Sequence, residues 1–102
     1  SEKLSVHRDL ASTGEVRFDT VVCLDVLEHL PDPSTQLQAF HKRMSSDATA
    51  LLNWYFFKGH DGEYPFHFDD PKLVDQFFNT LQGQFLEVFH PLLITARLYG
   101  KV

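Results

Sequence analysis

The sequence predicts an α/β fold whose mostly parallel sheet ends in an antiparallel strand pair. Three observations carry this. Phe18 to Leu24 is a nearly continuous apolar run with the β-branched Val21 and Val22, as expected of a central strand covered on both faces. Two Asp-Pro dipeptides, Asp32-Pro33 and Asp70-Pro71, each precede an apolar stripe at helical spacing. After the second stripe, Gln84 to His90 and Leu92 to Tyr99 alternate as two strands, separated only at His90-Pro91.

Taken in order, Lys3 to Asp9 alternates weakly through Leu4 and Val6 and reads as a short first strand. Ala11 to Arg17 is a polar connection containing Gly14. The central strand follows, and then one polar turn that carries Glu28 and His29. Asp32 can cap a helix and Pro33 suits its first position; Leu37, Phe40, His41 and Met44 form its apolar stripe. The apolar and aromatic stretch after Ala48 predicts a strand over Thr49–Phe56. Lys58 to Asp69, punctuated by Gly59, Gly62 and Pro65, predicts a loop rich in histidine and aromatic side chains. Loops this long in compact domains are often functional. Leu73, Val74, Phe77, Phe78 and Leu81 define the second helix, with Gly83 as its expected stop. The order strand, strand, helix, strand, loop, helix, strand, strand is that of an α/β domain.

A chain of 102 residues is one domain or less. It buries only about 60–65% of the surface its unfolded form exposes, so its stability margin is thin. Ten Phe suggest an aromatic-rich core or interface. A net charge of −5 with no Lys/Arg cluster argues against this segment gripping nucleic acid or an anionic membrane by itself. The lone Cys23 cannot form an internal disulfide and reads as a buried small hydrophobe in a reducing, cytoplasmic setting. No apolar stretch approaches the roughly 20 residues that span a bilayer. The opening Ser-Glu-Lys-Leu is neither an initiator Met nor a signal peptide, and suggests a fragment or a processed chain.

Residues 18–33 read Phe-Asp-Thr-Val-Val-Cys-Leu-Asp-Val-Leu-Glu-His-Leu-Pro-Asp-Pro. This run resembles the segment after the fourth strand of class I S-adenosylmethionine-dependent methyltransferases, whose common form is Phe-Asp-x-Val-x-x-x-Asp-Val-Leu-Glu-His-x-x-Asp-Pro. The resemblance implies a partial Rossmann-like methyltransferase fold in which the five strands are the third through the seventh. It implies S-adenosylmethionine as cofactor, in the crevice beyond the C-terminal ends of the parallel strands. None of the five glycines, Gly14, Gly59, Gly62, Gly83 and Gly100, forms the family's glycine-rich cofactor loop after a strand and before a helix. The chain is therefore expected to be the C-terminal part of such a domain and to bind the cofactor poorly alone. Strand 3–9 would lack its native neighbours, and the open edge would favour self-association.

The resemblance assigns Asp9 and the Leu10 N–H to the adenine ring, and Leu24, Asp25 and Val26 to the methionine part of the cofactor. Glu28 and His29 form the catalytic pair, because an imidazole can act as a general base near neutral pH. Tyr55 and His67 face the substrate. Alternation leaves open whether Trp54 and Phe56, or Tyr55 and Phe57, pack the core. No metal is assigned. Small-RNA 2′-O-methyltransferases and some ubiquinone-pathway O-methyltransferases bind a divalent cation at an acid-x-x-Glu-His turn; the corresponding residues here are Asp25, Glu28 and His29, with His67 as the loop ligand. His60-Asp61 reads as a solvated loop tip. The methyl acceptor is not legible. The alternative function is a degenerate methyltransferase-fold module that binds or scaffolds.

Overall fold

A computed structural model describes residues 10, 13–89 and 96–102. The predicted strand 3–9 and Asp9 lie outside the described residues, as does the stretch 90–95 between the last two strands. The described elements are β1 (Phe18–Cys23), a 3-10 turn (Leu27–His29), α1 (Pro33–Arg43), β2 (Met44–Leu52), α2 (Pro71–Gln84), β3 (Phe85–Phe89) and β4 (Arg97–Lys101). The α/β class holds, and the arrangement is compatible with part of a Rossmann-like fold.

The sheet has the order β1-β2-β4-β3. β1 and β2 pair parallel, whereas β4 is antiparallel to both β2 and β3. The sheet is therefore mixed, not mostly parallel. The reason is the position of β4, which inserts between β2 and β3 and so contributes two antiparallel ladders to one parallel one. Among the described residues β1 pairs only with β2 and stands at one sheet edge, not in the centre.

Both helices start where the Asp-Pro dipeptides place them. Asp32 accepts a hydrogen bond from the Thr35 N–H (3.2 Å) and another from the Thr35 hydroxyl (2.6 Å). Asp70 accepts one from the Lys72 N–H at 2.9 Å. Each cap satisfies a backbone donor that the first helical turn leaves without a partner. α2 passes through Gly83 and ends at Gln84, so Gly83 is not its stop. The chain turns directly into β3 at Phe85, whose extended backbone closes the helix without a left-handed residue.

One apolar cluster joins the sheet to both helices. It contains Cys23, Ala48, Ala50, Leu52, Phe85 and Tyr99 from the strands, Leu37 from α1 and Phe77 and Leu81 from α2. The Ser34 and Thr80 hydroxyls meet at 2.5 Å between the helices. The opposite sheet face stays open: Val22 is 62% exposed and Leu86 65%. β1 thus has one covered face, not the two its apolar run suggested, because α1 and α2 pack against the same cluster.

β2 starts five residues before the predicted Thr49 and ends at Leu52, four before Phe56. Its last partner is Cys23, the final residue of β1. Leu52 also faces Arg97, the first residue of β4, and past these partners the chain leaves the sheet. Met44, expected in the helical stripe, is the first residue of β2 and is fully buried there. Among the described residues no helix is long and apolar enough to cross a membrane.

Candidate functional site

β1 and β2 are parallel, so their C-terminal ends open on the same side, the usual place for a ligand crevice in α/β sheets. Residues just past those ends do line a cleft of about 370 Å³, formed by Asp25, Glu28, His29, Asn53, Trp54, Tyr55, Tyr64 and His67. The two strand ends are tied together there. Asp25 takes a left-handed backbone conformation (φ 58°), which aspartate tolerates better than most residues. Its N–H donates to the Asn53 side-chain oxygen at 2.6 Å, and the Asn53 amide donates back to the Asp25 carboxylate at 3.1 Å. The Asn53 N–H also donates to the Cys23 carbonyl, at 3.3 Å.

The 3-10 turn that follows is anchored by Leu27, which is fully buried. The turn presents Glu28 inward and His29 toward the cleft. Glu28 is 3% exposed, and its Oε1 is buried with no hydrogen-bond partner. Its Oε2 lies 3.6 Å from His29 Nε2. A buried carboxylate oxygen without a partner is costly, so this atom marks a place where a positive or donor group fits.

The loop between β2 and α2 closes over this turn through its backbone. The Phe68 N–H donates to the Glu28 carbonyl at 2.8 Å. His29 Nδ1 lies 3.2 Å from the Phe66 carbonyl, and His67 Nδ1 lies 3.1 Å from the Phe57 carbonyl. A carbonyl only accepts, so each Nδ1 is the donor in these contacts, and Nε2 is the ring nitrogen they leave uncommitted. The two imidazoles meet edge to face with centroids 4.6 Å apart. Tyr64 stacks on His67 (4.9 Å, 12°), and Tyr55 meets both rings edge-on. One donor atom each from Glu28, His29 and His67 lie within 4.8 Å of one another.

Of the residues singled out from the sequence, Asp25, Glu28, His29, Tyr55 and His67 come together in this cleft. Leu24 and Val26 are exposed beside it, at 40% and 43%. Leu10 lines a separate pocket of about 190 Å³ with Phe18, Thr20, Val21, Phe40 and Arg43. The alternation after β2 resolves clearly: Trp54 and Phe56 pack on the core, and Tyr55 and Phe57 are exposed. Asn53 and Tyr64 were missed. Asn53 could have been found only by knowing where β2 stops, and Tyr64 only from the loop's aromatic content. Cys23 is buried, and that burial, reinforced by the Glu28 charge, pushes its thiol up to about 11. That fits a packed side chain, not a nucleophile.

No protein-family model matches the chain, and no solved structure matches it at a significant level. Short segments are similar to curated methyltransferases. One is 50% identical over 34 residues to the ubiquinone biosynthesis O-methyltransferase of Pseudomonas syringae pv. tomato, covering 33% of this chain and 15% of that protein. Another is 52% identical over 31 residues to the enzyme of that name from Alkalilimnicola ehrlichii, covering 30% and 13%. A third is 33% identical over 45 residues to the tRNA U34 carboxymethyltransferase of Sulfurimonas denitrificans, covering 44% and 15%. The matches span only 13–15% of these relatives. At this coarse level they support methyl transfer.

Proposed function

We propose that the chain is part of the catalytic domain of an S-adenosylmethionine-dependent methyltransferase. The observation that carries this reading is the cleft at the paired ends of β1 and β2, where the buried Glu28 stands beside His29. The short similarities to methyltransferases agree with it.

When bound, the cofactor supplies an electrophilic methyl group on a sulfonium sulfur. A protic acceptor would lose a proton as it bonds to that carbon and the carbon–sulfur bond breaks to release S-adenosylhomocysteine. His29 receives the proton at Nε2, the nitrogen left free by the contact of Nδ1 with the Phe66 carbonyl. Glu28, 3.6 Å away, balances the imidazolium that results. The Asp25–Asn53 pair holds the strand ends at a fixed spacing, which keeps cofactor and acceptor aligned. Leu24, Asp25 and Val26 border the methionine part of the cofactor, whereas Leu10 lies in the separate pocket beside Phe18 and Arg43 and does not reach this cleft. Tyr55 and His67 face the acceptor.

Photo-cross-linking with methyl-labelled S-adenosylmethionine, on a form of the protein extended upstream, tests this reading. Label recovered in the peptide holding residues 18–33 supports it. Label absent there, or equal with excess unlabelled cofactor, contradicts it.

A further inference from the structure

We propose that the loop between β2 and α2, together with the mouth of the cleft, is a docking surface for a basic polypeptide segment. The observation that carries this is a chain of ring contacts along the loop. His60 meets Phe57 with centroids 5.5 Å apart, and Phe57 meets Tyr55 at 5.8 Å. Tyr55 meets Tyr64 at 5.3 Å, and Tyr64 stacks on His67 at 4.9 Å. Tyr55, Tyr64 and His67 line the cleft, so the strip runs unbroken from the turn at His60 to the cleft mouth. Tyr55, Phe57 and Tyr64 are 40–47% exposed, and Phe66, next to His67, is 80% exposed. Scattered apolar side chains on a surface are ordinary, whereas a contiguous exposed patch marks an interaction site.

Charge decides the partner. Residues 53–70 hold one cation, Lys58, against Asp61, Glu63, Asp69 and Asp70. All four acids are exposed, and among the described residues Asp61 and Glu63 have no ion-pair partner. The cleft adds Asp25 and Glu28, and no Lys or Arg lines it. Aromatic faces also suit the bases of a single-stranded nucleic acid. Such a strand needs cations along its phosphates, and on this surface it meets carboxylates instead. An anionic lipid surface is disfavoured on the same ground. Guanidinium and ammonium groups fit both features, because they lie over aromatic faces and pair with carboxylates. Arginine adds a planar face that stacks on rings. Asp61 and Glu63 draw such a segment in, and the ring strip leads it to the cleft.

Fluorescence anisotropy of a short labelled peptide of arginine, glycine and serine, titrated with the 102-residue chain, tests this. No cofactor is present, so failure here is distinct from failure of the methyl-transfer reading. The arginine peptide should bind, and more weakly as salt rises. A counterpart with glutamate for arginine, and an oligouridylate of equal length, should not bind. Phe66→Ala should weaken binding about twofold to fivefold. Asp61→Lys combined with Glu63→Lys should weaken it about threefold to tenfold. All three side chains are exposed, and an unchanged circular dichroism spectrum verifies that the fold is kept. No binding of the arginine peptide, equal binding of the glutamate peptide or the oligouridylate, or unchanged affinity in either variant would each overturn the inference.

Discussion

Glu28 is the residue on which the site turns, because its carboxylate is buried and one oxygen has no partner. Burial nearby also governs Cys23. Its thiol, ordinarily near 9.0, is pushed up to about 11 by desolvation first and the Glu28 charge second. Below pH 9 the thiol is neutral in both folded and unfolded chains. Between 9 and 11 the unfolded chain ionises and the folded one does not, so stability falls as pH rises through that window. Desolvation raises the Tyr99 hydroxyl too, and it acts with the same sign. Chemical denaturation at a series of pH values should show the decline, less steep in Cys23→Ala. A thiol reagent at pH 8 should label Cys23 only on unfolding. Glu28 and His29 were legible in the sequence because they are neighbours in one turn. His67 was singled out by the family resemblance, because the composition of its loop does not separate it from His60. Asn53 was not, because its place is set by where β1 runs out of pairing.

At the scale of elements, the Asp-Pro starts were legible because a cap is a local interaction: Asp32 and Asp70 bond to backbone donors two or three residues ahead. Asp70→Ala should cost about 1 kcal/mol of stability. For Asp32, the hydrogen bonds from Thr35 hold the carboxyl below its ordinary 3.8. The cap contribution is therefore full above pH 3.8 and is lost as pH falls through the lower, folded value; Asp32→Ala should remove that acid limb from the denaturation profile. Strand limits were less legible, because pairing decides them and pairing is long-range. β2 is fixed by its register with β1, from Thr20 against Thr49 to Cys23 against Leu52. The 3-10 turn depends on Leu27, which is fully buried. Leu27→Ala should cost about 2–5 kcal/mol, a large share of the roughly 5–15 kcal/mol typical of a domain. Urea denaturation measures the Asp70 and Leu27 substitutions.

At the scale of the whole molecule, the α/β class, the order of the described elements and the antiparallel pairing of the last two strands were legible, and the pairing of β4 with β2 was not. The insertion of β4 between β2 and β3 leaves no local trace in the sequence. The sheet face away from the helices carries Val22, Leu51 and Leu98 in register across three strands. Exposed apolar surface beside a strand edge that is unpaired among the described residues favours association with a second copy. Sedimentation of the isolated chain should therefore depend on concentration, and Val22→Lys should shift it toward monomer. The central claim, that the cleft belongs to an S-adenosylmethionine-dependent methyltransferase, is tested most directly by calorimetric titration of S-adenosylhomocysteine into this chain and into an upstream-extended form. The account predicts binding by the extended form and little or none by the 102 residues alone. Binding by neither would contradict it.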